Sequence, residues 1–115
     1  LGYTLGYWGE ANDTAERLLV APTGGVTARP GFLTRKEIVE EYARRTGRNV
    51  EQIEFYQVLA YYKLACIAEG IHARFLKGET VGEGFEGYAE RTEAVVRLAM
   101  AMADAAADPR LRGQF

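Results

Sequence analysis

The feature that most constrains this chain is the apolar run over residues 50–77, VEQIEFYQVLAYYKLACIAEGIHARFLK, which holds no proline and a single glycine, Gly70. Ile53, Tyr56, Ala60, Lys63/Leu64, Ile67 and Ile71 recur in it at helical spacing. Phe55, Leu59, Tyr62, Cys66 and Phe75 recur on a neighbouring stripe. Two apolar stripes side by side predict a helix buried over most of its circumference. At about 1.5 Å per residue it extends roughly 40 Å, the width of a small domain. Asn49 with Gln52 three residues on fits a variant of the capping box at its start. Arg74 and Lys77 in the last turn, with Gly78 beyond, mark its stop. The run is long enough to span a membrane, but Glu51, Glu54, Lys63, Glu69, His72 and Arg74 interrupt it, so it reads as a core helix.

The other elements are placed around this one. Residues 1–8 repeat Leu-Gly-Tyr, and Gly2 and Gly6 share a face if the segment is helical, as do Leu1 with Leu5 and Tyr3 with Tyr7. Such a glycine pair permits close approach of another backbone, yet each glycine costs about 1 kcal/mol of helix propensity relative to alanine. This short leading helix therefore needs tertiary contacts. Residues 9–31 read as a long connection, broken by Pro22, Gly24, Gly25, Pro30 and Gly31, with a turn at Asn12-Asp13-Thr14 and one helical turn over residues 15–20. Connections of that length often cover a site. Residues 34–45 form a second helix, with Thr34 and Glu37 as a capping box and Phe32 or Leu33 against Ile38 as a staple. Ile38, Val39 and Tyr42 form its buried stripe; Arg35, Lys36, Glu40, Glu41, Arg44 and Arg45 face water. Gly47 ends it, and the short turn that follows predicts packing on the central helix, antiparallel or at a steep angle. The last long helix covers residues 85–107. Phe85, Tyr88, Thr92, Val95, Val96, Ala99, Met102, Ala103 and Ala106 lie on one face and Glu93 pairs with Arg97 on the other. Asp108-Pro109 stops it and residues 110–115 read as a loose tail. With no alternating strand segment, the fold class is all-α: a bundle of three main helices plus a short N-terminal helix.

The totals narrow the function classes. At 115 residues the chain is one domain or a piece of a larger one. Apolar residues make up 48% and charged residues 26%, a globular balance. A net charge of −2 and a pI near 5.5 supply no basic field for nucleic acid. One cysteine makes no internal disulfide, and no basic-then-apolar leader opens the chain, so a cytoplasmic protein is the expectation. The opening LGYTLGYWGE is apolar and aromatic where free termini are usually polar, so the chain reads as the rear part of something longer.

Several residues bear on chemistry. Gly82-Glu83-Gly84-Phe85-Glu86-Gly87 matches G-x-G-x-x-G by letter, but it follows a helix and loop instead of a strand, and its glutamates repel phosphate, so it reads as a connection. His72, the only histidine, has no second histidine or cysteine at ligand spacing and reads as structural. Cys66 reads as a small buried residue. Lys63 and Glu69 are charges on a helix expected to be buried. They either form salt bridges with Arg74 or other parts of the chain, or face a pocket with Trp8 or Tyr3 nearby. Tyr3, Tyr7, Trp8, Tyr56, Tyr61 and Tyr62 read as core, with one or two available to line a cleft.

Two stretches add a resemblance. Leu-Gly-Tyr-x-Leu-x-Tyr-Trp at residues 1–8 resembles the segment after the metal-binding aspartates of aminoglycoside phosphotransferase-like kinases, where GDPxxD leads into LGYLLxYW. Thr34-Arg-Lys-Glu-Ile-Val, Tyr42-x-x-Arg-Thr-Gly47, Phe55-Tyr56, Lys63-Leu-Ala and Glu69-Gly-Ile-x-Ala-Arg74 are similar to the same family. The likeness extends to bacterial phosphotransferases of this kind and to the kinase-like portion of some acyl-CoA dehydrogenases. The resemblance covers nearly the whole chain and implies the C-terminal helical subdomain of a kinase-like C-lobe. It implies ATP and magnesium for the intact enzyme, held by a catalytic loop and carboxylates upstream of Leu1, and no activity for this chain alone. It also implies that these helices wall the acceptor-substrate pocket, with Trp8, Tyr62, Lys63 and Glu69 as the candidate lining. The implied partners are the missing N-terminal kinase-like region and a small-molecule acceptor. A different class of function also fits: a free-standing helical module that associates, as a homo-oligomer, through exposed apolar surface.

Overall fold

The structure, a computed structural model, describes residues 1–20 and 25–113. Five helices are formed among these residues: α1 (Gly2–Tyr7), α2 (Ala15–Val20), α3 (Arg35–Thr46), α4 (Ile53–Leu76) and α5 (Tyr88–Ala105). No strand occurs among them, so the all-α expectation holds, and residues 15–20 add a fifth helix to the bundle.

α4 is the axis. Its 24 residues correspond to about 36 Å, and it is flanked by α1 on one side and α5 on another. α5 runs antiparallel to it: the Glu54 carboxylate, in the first turn of α4, accepts a hydrogen bond at 3.1 Å from the Ala107 N–H just past the end of α5. α2 lies antiparallel across α5, with Glu16 2.9 Å from Arg97 at one end and Val20 O accepting from Arg91 Nη2 at the other. The core forms where these three helices meet. Val20, Tyr61, Leu64, Ala65, Ala94 and Val95 are buried, with Tyr7, Leu98, Ala99 and Met102 packed against them. Alanines at 60, 65, 68 and 94 occupy buried positions, which lets the helix axes approach closely.

The glycine pair of α1 does what its spacing predicts. α1 lies along α4 in the same direction, with Gly2 over Tyr56 and Gly6 over Ala60 and Leu64. A Cβ at Gly2 would stand 2.5 Å from the Tyr56 Cβ and 2.8 Å from its backbone, so only glycine fits. At Gly6 the same atom would meet Ala60 Cβ at 3.5 Å, an ordinary contact. Leu5, on the same helix, is fully buried and anchors it.

Helix ends agree with the sequence in some places and differ in others. The Thr34–Glu37 capping box is present, with Thr34 N donating to Glu37 Oε2 at 2.7 Å and Glu37 N donating to Thr34 Oγ1 at 3.2 Å. Gly78 takes φ 70° past the end of α4, and the N–H groups of Gly78 and Glu79 return to the carbonyls of Phe75 and Arg74. At the start of α4, Asn49 does not cap. Its Oδ1 accepts from Glu51 N at 2.7 Å, a local turn that leaves Gln52 at the cap position without a side-chain bond. The last helix, expected over residues 85–107, is shorter: α5 spans Tyr88–Ala105, and Phe85 lies outside it, stacked on the Tyr88 ring.

Two expectations about burial are corrected. α4 is not buried over most of its circumference. It buries Ala60, Tyr61, Leu64, Ala65 and Ala68, while Phe55, Tyr56, Leu59, Tyr62 and Ile67 stay 41–63% exposed. The reason is a shortage of neighbours: α1 and α5 cover two flanks, and no described element lies over the rest. α3 was expected to lie on α4 through Ile38, Val39 and Tyr42, but these are only half-buried and α3 buries no residue fully. Of the expected loose tail at residues 110–115, residues 110–113 form successive turns, with Arg112 Nη1 donating to Ala106 O at 2.6 Å, and residues 114–115 lie outside the described residues.

The two glycines of α1 give a paired test. Gly2→Ala should cost about 1–3 kcal/mol through overpacking against the Tyr56 backbone, read as a lower melting temperature. Gly6→Ala should be neutral or stabilising, because alanine gains about 1 kcal/mol of helix propensity and finds room.

Candidate functional site

The densest polar cluster surrounds Arg35, the first residue of α3. A cation there faces the positive end of the helix dipole and needs nearby carboxylates to offset it. The loop after α1 supplies them. Arg35 Nη2 lies 2.9 Å from Glu10 Oε2 and 2.6 Å from Asp13 Oδ1; Nη1 lies 2.7 Å from Asp13 Oδ2 and 2.8 Å from the Trp8 carbonyl oxygen. The Arg35 backbone N–H also donates to Glu10 Oε1. Asp13 is held in turn by the Glu10 N–H at 2.8 Å and faces Arg17 Nε at 3.6 Å. Thr27 Oγ1 accepts from Gly9 N at 2.8 Å and donates to Gly9 O at 3.0 Å, which fixes the loop. Burial alone would push the Asp13 carboxyl up, but the hydrogen bond from Arg35, the Glu10 N–H and the charges of Arg35 and Arg17 outweigh it and hold it below its usual range. Both Asp13 oxygens are engaged by donors, so the cluster is a clamp that joins α3 to the rest and has no idle acid or base. The sequence reading placed Arg35 toward water; its side chain is only 15% exposed. The signal for this was its place at a helix N-terminus, downstream of the acids Glu10 and Asp13.

The four residues expected to line an acceptor pocket are not gathered around one cavity. Trp8 caps α1, donates through Nε1 to Leu33 O at 2.8 Å and meets Phe32 edge to face at 6.0 Å. Lys63 does come to Tyr3, its Nζ 4.9 Å from the ring centroid, an attraction between a cation and an aromatic face. Tyr62, 63% exposed, and Glu69, also exposed, lie seven residues apart on the bare face of α4. Among the described residues neither Lys63 nor Glu69 forms an ion pair, with Arg74 or otherwise. Cys66, expected inside, is exposed on the same bare face. His72 is half-buried, and its Nδ1 is enclosed without a hydrogen-bond partner among the described residues. The glycine-rich run at residues 82–87 is the loop between α4 and α5.

A cleft the sequence did not announce opens between α1, α2, α4 and α5, with a volume of about 210 Å³. Leu64, Ile67, Ile71 and Val95 make its apolar walls, and Tyr7 and Arg91 bring polar groups to it. Tyr7 OH is 3.0 Å from Tyr3 OH. Burial first, then the bond to Tyr3, pushes the Tyr7 phenol up to about 12, while the charge of Arg91 pulls the other way. The Arg91 guanidinium lies 5.5 Å from the Tyr88 ring centroid and donates to Val20 O at 3.3 Å. A second cleft of about 280 Å³ lies between the start of α1, Tyr42 and the start of α4.

Among the described residues no group of three His, Cys, Asp or Glu side chains is placed to hold a metal ion, and Glu10 with Asp13 is already taken up by Arg35. No helix among the described residues is long and apolar enough to cross a membrane. What fold and site define together is an all-helical unit with a charge clamp, a small cleft and one uncovered apolar helix face. Comparison with protein-family models, with curated proteins and with solved structures finds no match to this chain.

Two measurements check this geometry. Asp13→Asn leaves two half-buried arginines short of a carboxylate and should cost about 2–4 kcal/mol at neutral pH. Because Asp13's folded pKa lies below its ordinary 3.8, its contribution is present above that pH and lost as pH falls through the folded value, so wild type and variant should converge in acid unfolding curves below pH 4. Cys66, being exposed, should react with a thiol reagent in the native protein without a lag, at one equivalent per chain.

Proposed function

We propose that this helical unit is the acceptor-binding part of a small-molecule phosphotransferase of the aminoglycoside phosphotransferase-like kind. In the intact enzyme a kinase-like region N-terminal to it would supply the ATP and magnesium sites; the described helices would supply wall and no phosphoryl chemistry. The observation that carries this reading is the run over residues 1–8, whose likeness to the segment following the family's metal-binding aspartates continues through α3 and α4. Two physical features support it. The molecule is a slab of 47 × 41 × 24 Å with a radius of gyration of 15.5 Å, against about 13 Å for a compact chain of this length. Moreover, α4 carries a row of exposed apolar residues that a further region would cover.

The test is to sequence the coding region upstream of Leu1 and express the whole product. The expected result is an upstream His-Gly-Asp catalytic loop and a Gly-Asp-Pro run, with magnesium-dependent ADP release on one of a panel of aminoglycosides, alcohols, sugars or hydroxyacyl-CoA compounds. Residues 1–115 alone should release none. A reading frame without the aspartate runs overturns the proposal. A second reading, a homo-oligomeric interaction module, is favoured by Phe55, Leu59, Tyr62 and Cys66, which recur at 4-3-4 spacing on the uncovered face. Sedimentation as a strict monomer at high concentration rules that reading out.

A further inference from the structure

We propose that the cleft between α1, α2, α4 and α5 is a binding site for a small amphiphilic carboxylate, an organic acid with one aromatic or branched aliphatic group. The inference is independent of the phosphotransferase reading, since it needs neither nucleotide nor any segment beyond the described residues.

The size comes first. An apolar cavity of about 150 Å³ accommodates a benzene-sized molecule. The cleft here, at about 210 Å³, has room for such a ring and two or three further carbons. Its walls suit that body, since Leu64, Ala68, Val20 and Val95 are buried side chains that form a fixed floor. Ile67 and Ile71, less buried, form the side toward solvent.

The charge comes second. Three arginines of the described chain, Arg17, Arg35 and Arg91, sit half-buried between helices. Arg17 faces Asp13, and Arg35 holds Asp13 and Glu10. Among the described residues Arg91 has no carboxylate partner and no acidic side chain lines the cleft. Its guanidinium is held by Val20 O through one Nη2 hydrogen and rests near the Tyr88 face, which leaves further N–H donors in a planar fork. Such a fork matches the two oxygens of a carboxylate. The fork also matches phosphate oxygens, but a phosphate dianion would leave a charge beside apolar walls that one arginine does not balance, so the site is assigned to a carboxylate.

The experiment uses 3-phenylpropanoate and its neutral match, 3-phenylpropanamide, titrated at pH 7 into the protein without ATP and followed by amide chemical shifts. The expected result is saturable binding of the acid, with shifts confined to Tyr7, Val20, Ile67, Ile71, Arg91 and their neighbours, and at least tenfold weaker binding of the amide. Arg91→Gln should reduce acid affinity about tenfold, roughly the loss of one charge-assisted hydrogen bond, and leave the amide unchanged. Arg97→Gln, on the same helix but outside the cleft, should alter neither. Equal binding of acid and amide to the wild-type protein overturns the proposal without recourse to any variant. So does failure of the acid to bind at tens of millimolar, or shifts that map to Phe55, Leu59, Tyr62 and Cys66 instead of the cleft.

Discussion

The burial of Tyr61 sets the conditions for the rest of the molecule. Its ring, 1% exposed, fills the space where α2, α4 and α5 meet, and a phenol so placed needs a partner for its hydroxyl. Arg17 Nη2 donates to it at 3.1 Å. Burial first of all keeps this phenol protonated, its pKa raised, while the charges of Arg17 and Arg35 act against that. Arg17 in turn faces Asp13, and Asp13 holds Arg35. One buried ring is thus the inner end of a chain of polar contacts that runs out of the core and fixes the long connection and α3. Apolar packing determines where α2, α4 and α5 lie; charge determines where α3 lies.

The local features of this fold were legible because they are written in short spacings. A capping box spans four residues and a glycine pair five, so both could be read without knowing what surrounds them, and both are present. The ends of α4 divide on the same principle. Gly78 stops the helix as expected because a left-handed residue there needs only the turn before it. Asn49 fails to start it because its side chain had a nearer backbone N–H, that of Glu51, to satisfy.

Burial was not legible in the same way. Phe55, Leu59, Tyr62 and Cys66 have the composition of a core stripe, and periodicity reports that such a stripe exists, not what covers it. Arg35 was misplaced for the converse reason, since its partners lie 22 and 25 residues away along the chain. The candidate pocket residues show both limits together. Lys63 did reach an aromatic ring of α1, while Tyr62 and Glu69 lie on the bare face of α4 and Trp8 packs apart from them beside Leu33. The cleft at Arg91 drew no attention in the sequence because its lining is drawn from four helices, one residue each from α1 and α2 and the rest from α4 and α5.

The attachment of α3 has a consequence for how the molecule moves. A helix that buries no residue fully, and is held by guanidinium–carboxylate contacts at one end and an indole hydrogen bond beside them, has little apolar surface to lose on release. Its amide hydrogens therefore exchange with solvent through openings smaller and more frequent than those that expose α4 and α5. The molecule has in effect two layers of cohesion: an inner one insensitive to ionic strength, and an outer one that loosens as added salt competes for the same charges.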